Sequence, residues 1–361
     1  MRLFQISGLN RSYRPRLARL TRDCATFDAA MRAFADDRYI AVHFLKPVIE
    51  RSPDAFFANG DDDFAQRLWA KEHGMRDGAT LDDIALAQIE EHRTEVFYNL
   101  DPVAFGDSFI ERLPGSVKRT VAWRAAPSRN AAFLKHDIIV NNFPSLLEGY
   151  RAQGARTEYF FPAHDPEMDR YAAIADRPVD VVFFGTFSRH HQNRVAMLES
   201  VARLRDRLAV VLHLDISRFT RLAETPLGWA GPLRKHRRSR DIRATASGPI
   251  YGRDLLAALG NAKIVVNGAI DMSSRDRGNM RVWEALGCGT LLLSDTGHYP
   301  PGLTDGEQYV GYRDPRDVPD IIAALIADDE RRKAIAAEGH RTISTRYSKD
   351  IQWHRFQEIV S

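Results

Sequence analysis

Asp276-Arg-Gly-Asn-Met-Arg-Val-Trp-Glu-Ala-Leu-Gly-Cys-Gly-Thr-Leu-Leu-Leu-Ser-Asp295 is the most informative stretch of this 361-residue chain. Gly278 and Asn279 open a predicted helix over 279–287, whose start presents unpaired N–H groups and the positive end of the helix dipole. A cation in that first turn is unfavourable by itself, so Arg281 there suits a phosphate held between guanidinium and helix. Glu284 follows one turn later near the same face, where a carboxylate can accept two hydrogen bonds from a vicinal diol. Val282, Ala285 and Leu286 face a core, Gly287 and Gly289 end the helix, and Leu291 to Leu293 read as a buried strand. Phosphate and ribose ligands on one helix at the carboxyl edge of a parallel sheet describe a nucleotide site. Without a ligand, the same pattern makes a capped core helix with surface charges.

On either side of this stretch, short β-rich runs ending at Gly, Asn, Asp or Pro alternate with longer helical stretches, the order of parallel βαβ units. The first half offers strands at 3–7, 40–45, 96–100, 119–123, 138–141 and 158–161. A long polar, helical insert occupies 46–95 between the second and third; its clearest helix opens at Thr80 with Asp83 as capping partner. Three prolines, several charges and no sustained period mark 162–178 as a connection, with the linker itself at 166–178. A second series places strands at 179–185, 209–214, 264–267, 290–294 and 308–311, and helices at 191–205, 252–261, 279–287, 317–327 and 329–345. The expected organisation is therefore two Rossmann-like α/β domains, 1–165 and 179–350, with a closing helix over 351–361.

The spacing Asn-x-Arg-x-x-Glu-Ala-x-x-Cys-Gly-x-x-Leu-Leu-x-Asp, met from Asn279 to Asp295, resembles the C-terminal domain of CgeB-like (spore-protein YkvP/CgeB) glycosyltransferases, relatives of the group 1 transferases. Asp180-Val-Val-Phe-Phe-Gly-Thr-Phe-Ser-Arg-His-His-Gln-Asn-Arg194 resembles the strand, glycine turn and basic helix start that open that domain. The stretches at 251–267 and 328–347 resemble its next unit and closing helix; in the first half only Trp123 with the Pro127 turn, and 154–166, look familiar. The resemblance implies a GT-B fold, two Rossmann-like domains with parallel sheets facing across a cleft. It further implies a nucleotide-sugar donor in the second domain, with Glu284 on the ribose and Asn279, Met280 and Arg281 on the diphosphate. The acceptor, a glycan, protein or other hydroxyl compound, falls to the first domain. No bound metal or other cofactor is implied. The group 1 pattern carries an earlier acid eight positions before Glu284, where this chain has Asp276.

Other residues fit the same expectation. Gly185 after a buried strand lets backbone approach a pyrophosphate, and Arg189 or Arg194 can neutralise it. Gly8, Asn10 and Arg11 follow the first strand, where a loop can meet donor phosphate or acceptor. Asp101, at the end of the third strand, is one candidate base for an acceptor hydroxyl, and His43 in Ala-Val-His-Phe-Leu is the other, although a histidine in an apolar run also fits a core position. Tyr251 is a further candidate for nucleotide binding, and backbone and pocket shape near Tyr251 and Arg253 would read the nucleotide base. Asp61-Asp-Asp63 lies in a polar insert, away from a strand end, and is not expected to bind metal. Arg234-Lys-His-Arg-Arg-Ser-Arg240, the strongest charge run, suits an anionic lipid surface, an acidic glycan acceptor or phosphate, although most such runs are solvated loops.

Composition bounds these readings. With 44% hydrophobic and 27% charged residues the chain is an ordinary globular protein, and a net charge of +3 argues against a general nucleic-acid binder. Cys24 and Cys288 stand far apart and outside any ligand cluster, the amino terminus turns polar after six residues, and no apolar run approaches a membrane span, so a cytoplasmic protein is expected. Neither half carries the Gly-rich fingerprint of a nicotinamide-dependent dehydrogenase after its first strand. A non-catalytic nucleotide- or glycan-binding scaffold of the same fold is the alternative from another class.

Overall fold

The computed structural model describes residues 1–188, 192–228, 231–268 and 275–361 and divides into two compact units, Met1–Ala163 with Lys349–Ser361, and His164–Ser348. Each unit is built on a six-stranded parallel sheet. In the first unit these are β1 (Leu3–Ser7), β2 (Ala55–Asn59), β3 (Val96–Asn99), β4 (Arg119–Trp123), β5 (Ile138–Asn141) and β6 (Thr157–Tyr159), in the order β2-β1-β3-β4-β5-β6. In the second they are β7 (Val179–Phe187), β8 (Val210–Ile216), β9 (Ala246–Ser247), β10 (Ala262–Val266), β11 (Leu291–Asp295) and β12 (Val310–Tyr312), in the order β12-β11-β10-β7-β8-β9. In both orders the first strand has its successor on one side and the next new strand on the other. The strand order therefore reverses between β1 and β3 and again between β7 and β10, and crevices for ligands open at the carboxyl ends of such pairs.

The period of two along a strand explains why these sheets are apolar on both faces. Phe4, Ile6 and Phe97 point to one side of the first sheet and join Phe27, Trp69, Ile84 and Ile89 from the covering helices. Leu3, Val96, Tyr98, Val121 and Trp123 point to the other, where Phe356, Ile359 and Val360 of the closing helix Lys349–Val360 pack. That helix thus belongs to the first unit, although it follows the second in sequence. In the second unit Val181, Phe183, Leu212, Ile264 and Leu291 share a core with Met197, Leu198, Ile322 and Ile335.

One expected strand is absent. Ile40 takes a left-handed backbone conformation (φ 54°) and Ala41–His43 forms a 3-10 turn, so 40–45 is not extended; the strand beside β1 is β2, inside the stretch read as helical. The turn survives because its backbone groups find side chains in place of a neighbouring strand. The buried Lys349 ammonium donates to the carbonyls of Ala41 and Phe44, and the Gln5 amide bonds the His43 carbonyl (3.0 Å) and the Leu45 N–H (3.2 Å). The helix predicted from Thr80 is present as Leu81–Glu91, closed by reciprocal bonds between Thr80 and Asp83.

The stretch 166–178, read as a linker, is tied to the second unit. It contains a 3-10 turn Pro166–Met168 and a helix Asp169–Ala172, and the Arg177 guanidinium donates to carbonyls of Leu259, Ala262 and Cys288 and to the Thr290 hydroxyl. Among the described residues no helix is long and apolar enough to cross a membrane.

Candidate functional site

The second sheet reverses its strand order between β7 and β10, and the expected nucleotide residues collect at the carboxyl ends of those strands. Helix Met280–Gly287 starts there after Gly278, whose φ of 151° only glycine adopts without strain. Asn279 occupies the cap position without a side-chain bond to the helix. Its amide instead exchanges hydrogen bonds with that of Asn267, just past β10, at 3.2 and 3.4 Å. The first-turn N–H groups therefore keep no side-chain cap and point where an anion would sit.

Arg281 and Glu284 sit one turn apart on this helix and are hydrogen-bonded to each other as an ion pair. Glu284 is only 7% exposed; burial pushes its carboxyl above the usual range, and the Arg281 charge opposes that rise. The Arg281 guanidinium also lies 5.4 Å from the centre of the Phe184 ring, on β7. Phe184 in turn stacks on His213 of the neighbouring β8 (5.1 Å, 5° between planes), and the His213 ring bonds the Gly248 carbonyl at 3.1 Å. Burial holds the His213 ring below its ordinary pKa.

Gly185 follows Phe184. A Cβ there would meet the Phe183 ring at 2.9 Å and lie 3.9 Å from Arg194, so the glycine keeps room beside the cation. Arg194 donates to the Gly268 carbonyl and lies 5.9 Å from the centre of the Phe183 ring. Contacts thus join Gly185, Arg194, Asn279, Arg281 and Glu284 through Asn267, Gly268 and Phe184, with Met280 between Asn279 and Arg281. Arg189 lies outside the described residues. Tyr251 precedes helix Gly252–Gly260, three residues after Gly248, and Arg253 is paired with Glu167. Asp276 is buried, 3.6 Å from the His298 ring nitrogen, and the neighbouring Arg277 pairs with Asp295 at 2.7 Å.

In the first sheet the reversal between β1 and β3 brings Gly8 and Asp101 together. A Cβ on Gly8 would collide with the Asp101 carboxylate, so the absence of a side chain is what admits that carboxylate to the β1 loop. Asp61, just after β2, accepts from the Leu9 N–H at 2.9 Å and from Arg14. Burial raises the Asp61 carboxyl; Arg14 and the Leu9 N–H lower it, and the Asp101 charge adds to the rise. The Asn10 side chain accepts from the Ser12 N–H at 2.8 Å, folding its own loop. Asp61 is thus held by the first loop, and among the described residues no group of three metal-ligating side chains occurs.

His43 stands apart from these carboxylates, edge-on to Trp123 at 4.8 Å. Burial, helped by the Lys349 charge, pushes it down to about 3, and an imidazole so reluctant to hold a proton is a weak base at neutral pH.

Four contributors escaped the sequence reading: Phe184, His213, Asn267 and Asp61. Phe184 and His213 look like ordinary strand residues, and only the parallel register that pairs them, Phe184 with His213, reveals the stack. Asn267 carried a signal, since a polar side chain ending a buried apolar strand at a sheet's carboxyl edge is where ligands bind.

Residues 189–360, a little under half of the chain, match the family model described as glycosyl transferase-like. No curated protein sequence matches at a significant level. Among solved structures, Anabaena HepE in complex with UDP and glucose aligns over 99% of both chains with a TM-score of 0.61 and 12% identity. A second HepE structure contains UDP-glucose. Sucrose-phosphate synthase from Thermosynechococcus elongatus aligns over 99% of this chain and 97% of its own at 0.51 and 11% identity. S. aureus TarM, in a complex with fondaparinux, α-GlcNAc-glycerol and UDP, aligns over 78% and 59% at 0.55 and 11% identity. The two six-stranded parallel sheets are those of the GT-B fold, and residues 189–360 are similar to the glycosyl transferase-like family.

Proposed function

We propose that this glycosyl transferase-like chain moves a sugar from a nucleotide-sugar donor to a hydroxyl acceptor, with the donor bound at the carboxyl edge of β7 and β10. The observation that carries the reading is the buried Glu284 carboxylate paired with Arg281 beside the helix start at Met280. On binding, the Glu284 carboxylate accepts from the ribose hydroxyls and the Arg281 guanidinium turns to the diphosphate, together with Arg194 and the first-turn N–H groups. As the bond from sugar to phosphate breaks, the negative charge growing on the leaving diphosphate is held by these preplaced donors. In the first unit Asp101 takes the proton of the attacking acceptor hydroxyl, with Gly8 leaving it room and Asp61 beside it. No metal is needed, because the cations and helix start fill that role.

UDP-sugars are the first donors to test, since the HepE and TarM structures contain UDP. Within the group 1-like transferases, the Asn279 to Asp295 spacing supports a CgeB-like member acting on a glycan or protein. The two free cysteines, Cys24 and the buried Cys288, support a cytoplasmic setting.

Calorimetric titration with UDP tests the site. Glu284→Ala is expected to weaken binding by about tenfold or more, the value of a hydrogen-bonded charged group; wild-type affinity in the variant would refute the assignment. Incubation with a panel of nucleotide-sugars, with and without EDTA, should release nucleotide equally in both. Nucleotide that binds without any donor being consumed would assign a binding scaffold instead, and loss of activity in EDTA would refute metal independence.

A further inference from the structure

Between β8 and β9 the chain makes an excursion over 217–245 in which eight Lys and Arg face two acids, net +6, in a protein of net +3, so the other residues together are net negative. Both acids are already engaged: Glu224 binds Arg238 at 2.7 Å and Asp241 pairs with Arg205 at 3.1 Å. Arg218, Arg221, Arg234, Lys235, Arg240 and Arg243 are exposed.

The helix Arg218–Ala223 in this excursion is inverted. Thr220 and Ala223 face inward and are buried, while Phe219 and Leu222, three residues apart and so on one face, are 54% and 45% exposed. Among the described residues these are two of the few exposed large apolar side chains. The Phe219 ring stacks on His236 (5.4 Å) within the 3-10 turn Gly231–His236, which brings Arg234 and Lys235 alongside the apolar pair. Outward apolar side chains ringed by cations match the interfacial zone of an anionic bilayer, where phosphate headgroups meet acyl chains. An acidic glycan or duplex nucleic acid would use the cations alone, and a single strand could stack a base on Phe219 yet would leave Leu222 in water.

We infer that the 217–245 excursion docks the protein on an anionic membrane surface, with Phe219 and Leu222 entering the headgroup layer and Arg218, Arg221, Arg234 and Lys235 neutralising lipid phosphates. The excursion leaves β8 at the carboxyl edge of the sheet, the edge that carries the proposed donor site, so docking presents that edge's loops near the bilayer. The inference does not depend on transfer activity.

Co-sedimentation of the full chain with vesicles of phosphatidylcholine alone, or of phosphatidylcholine with phosphatidylglycerol, tests it. Binding is expected only to the anionic vesicles and to fall as salt rises. Arg234→Glu with Lys235→Glu should weaken it by about tenfold or more, at roughly 1 kcal/mol per cation near the surface. Phe219→Ser with Leu222→Ser should weaken it too, with UDP affinity unchanged and melting temperature lowered only slightly, because about half of each side chain is exposed and only the Phe219–His236 stack is lost. Equal binding to both vesicle types, no binding to either, or full binding by the serine double variant would overturn the proposal. A serine variant that keeps binding heparin or RNA while wild type ignores vesicles would assign the face to a soluble polyanion.

Discussion

In the proposed donor site, Arg281 and Glu284 are also structural partners of each other. Their pairing compensates the burial of the Glu284 carboxylate, so both charges tolerate a site without nucleotide, and an incoming diphosphate and ribose exchange one set of partners for another. In the first unit a glycine does the equivalent work. Gly8→Ala would push the Asp101 carboxylate, the movable end of a side chain, out of its place against the β1 loop. The expected outcome is a fall in kcat of about a hundredfold, the worth of a positioned proton acceptor, with unfolding free energy changed by less than about 1 kcal/mol. Steady-state rates alongside a melting curve check it; an unimpaired kcat would remove Asp101 from the mechanism. At this scale the helix start at 279–287 was readable because Gly278, Asn279 and the apolar positions after them are local signals. Phe184 and Asp61 were not, since their significance lies in neighbours contributed by other strands.

Elements were legible where local signals agreed. Thr80 and Asp83 form the reciprocal cap their spacing predicts, and the strands 119–123 and 138–141 fall where their apolar runs place them. The error at 40–45 is instructive: the apolar run was real and buried, but a left-handed Ile40 and the side chains of Gln5 and Lys349 satisfy its backbone, freeing the sheet position for 55–59. Lys349 is about 300 positions away in the chain, beyond the reach of any periodicity argument. Helix Asp329–Arg346 offers a test of packing against propensity. Gly339 in its interior would ordinarily gain up to about 1 kcal/mol on replacement by Ala, yet a Cβ there would lie 2.6 Å from the Gln308 carbonyl oxygen and 2.7 Å from Leu286. Gly339→Ala is therefore expected to destabilise by about 1–3 kcal/mol. Denaturant midpoints decide it, and a stabilised variant would show that the helix can shift away from Gln308.

Over the whole molecule, burial makes the protein sensitive to mild acid. It holds His43, His92, His136, His164 and His213 below the ordinary histidine value, so each is neutral when folded and takes a proton more readily when unfolded. Their contribution to stability is complete above the unfolded pKa of 6.5 and is lost as pH falls, for His43 down to about 3. Asp61, Asp62 and Glu284, raised by burial, run the other way: the folded state holds their protons more tightly, so they regain some stability at low pH. With five groups against three and the longest window at His43, melting temperature should drop steadily between pH 7 and pH 5. His43→Gln should show a shallower drop, and a flat profile in the wild type would contradict the assignment.

Periodicity, turn residues and one helix start were enough to determine two successive α/β halves, the parallel character of their sheets and the helix start at 279–287, because each depends on residues close together in the chain. Strand order, the reversals that bring Gly8 to Asp101 and Phe184 to Arg281, the return of Lys349–Val360 to the first unit and the outward turn of Phe219 and Leu222 were decided only in the tertiary structure. These depend on which distant segments fill one another's cores and satisfy one another's backbone groups, and that choice is made by packing across the whole chain.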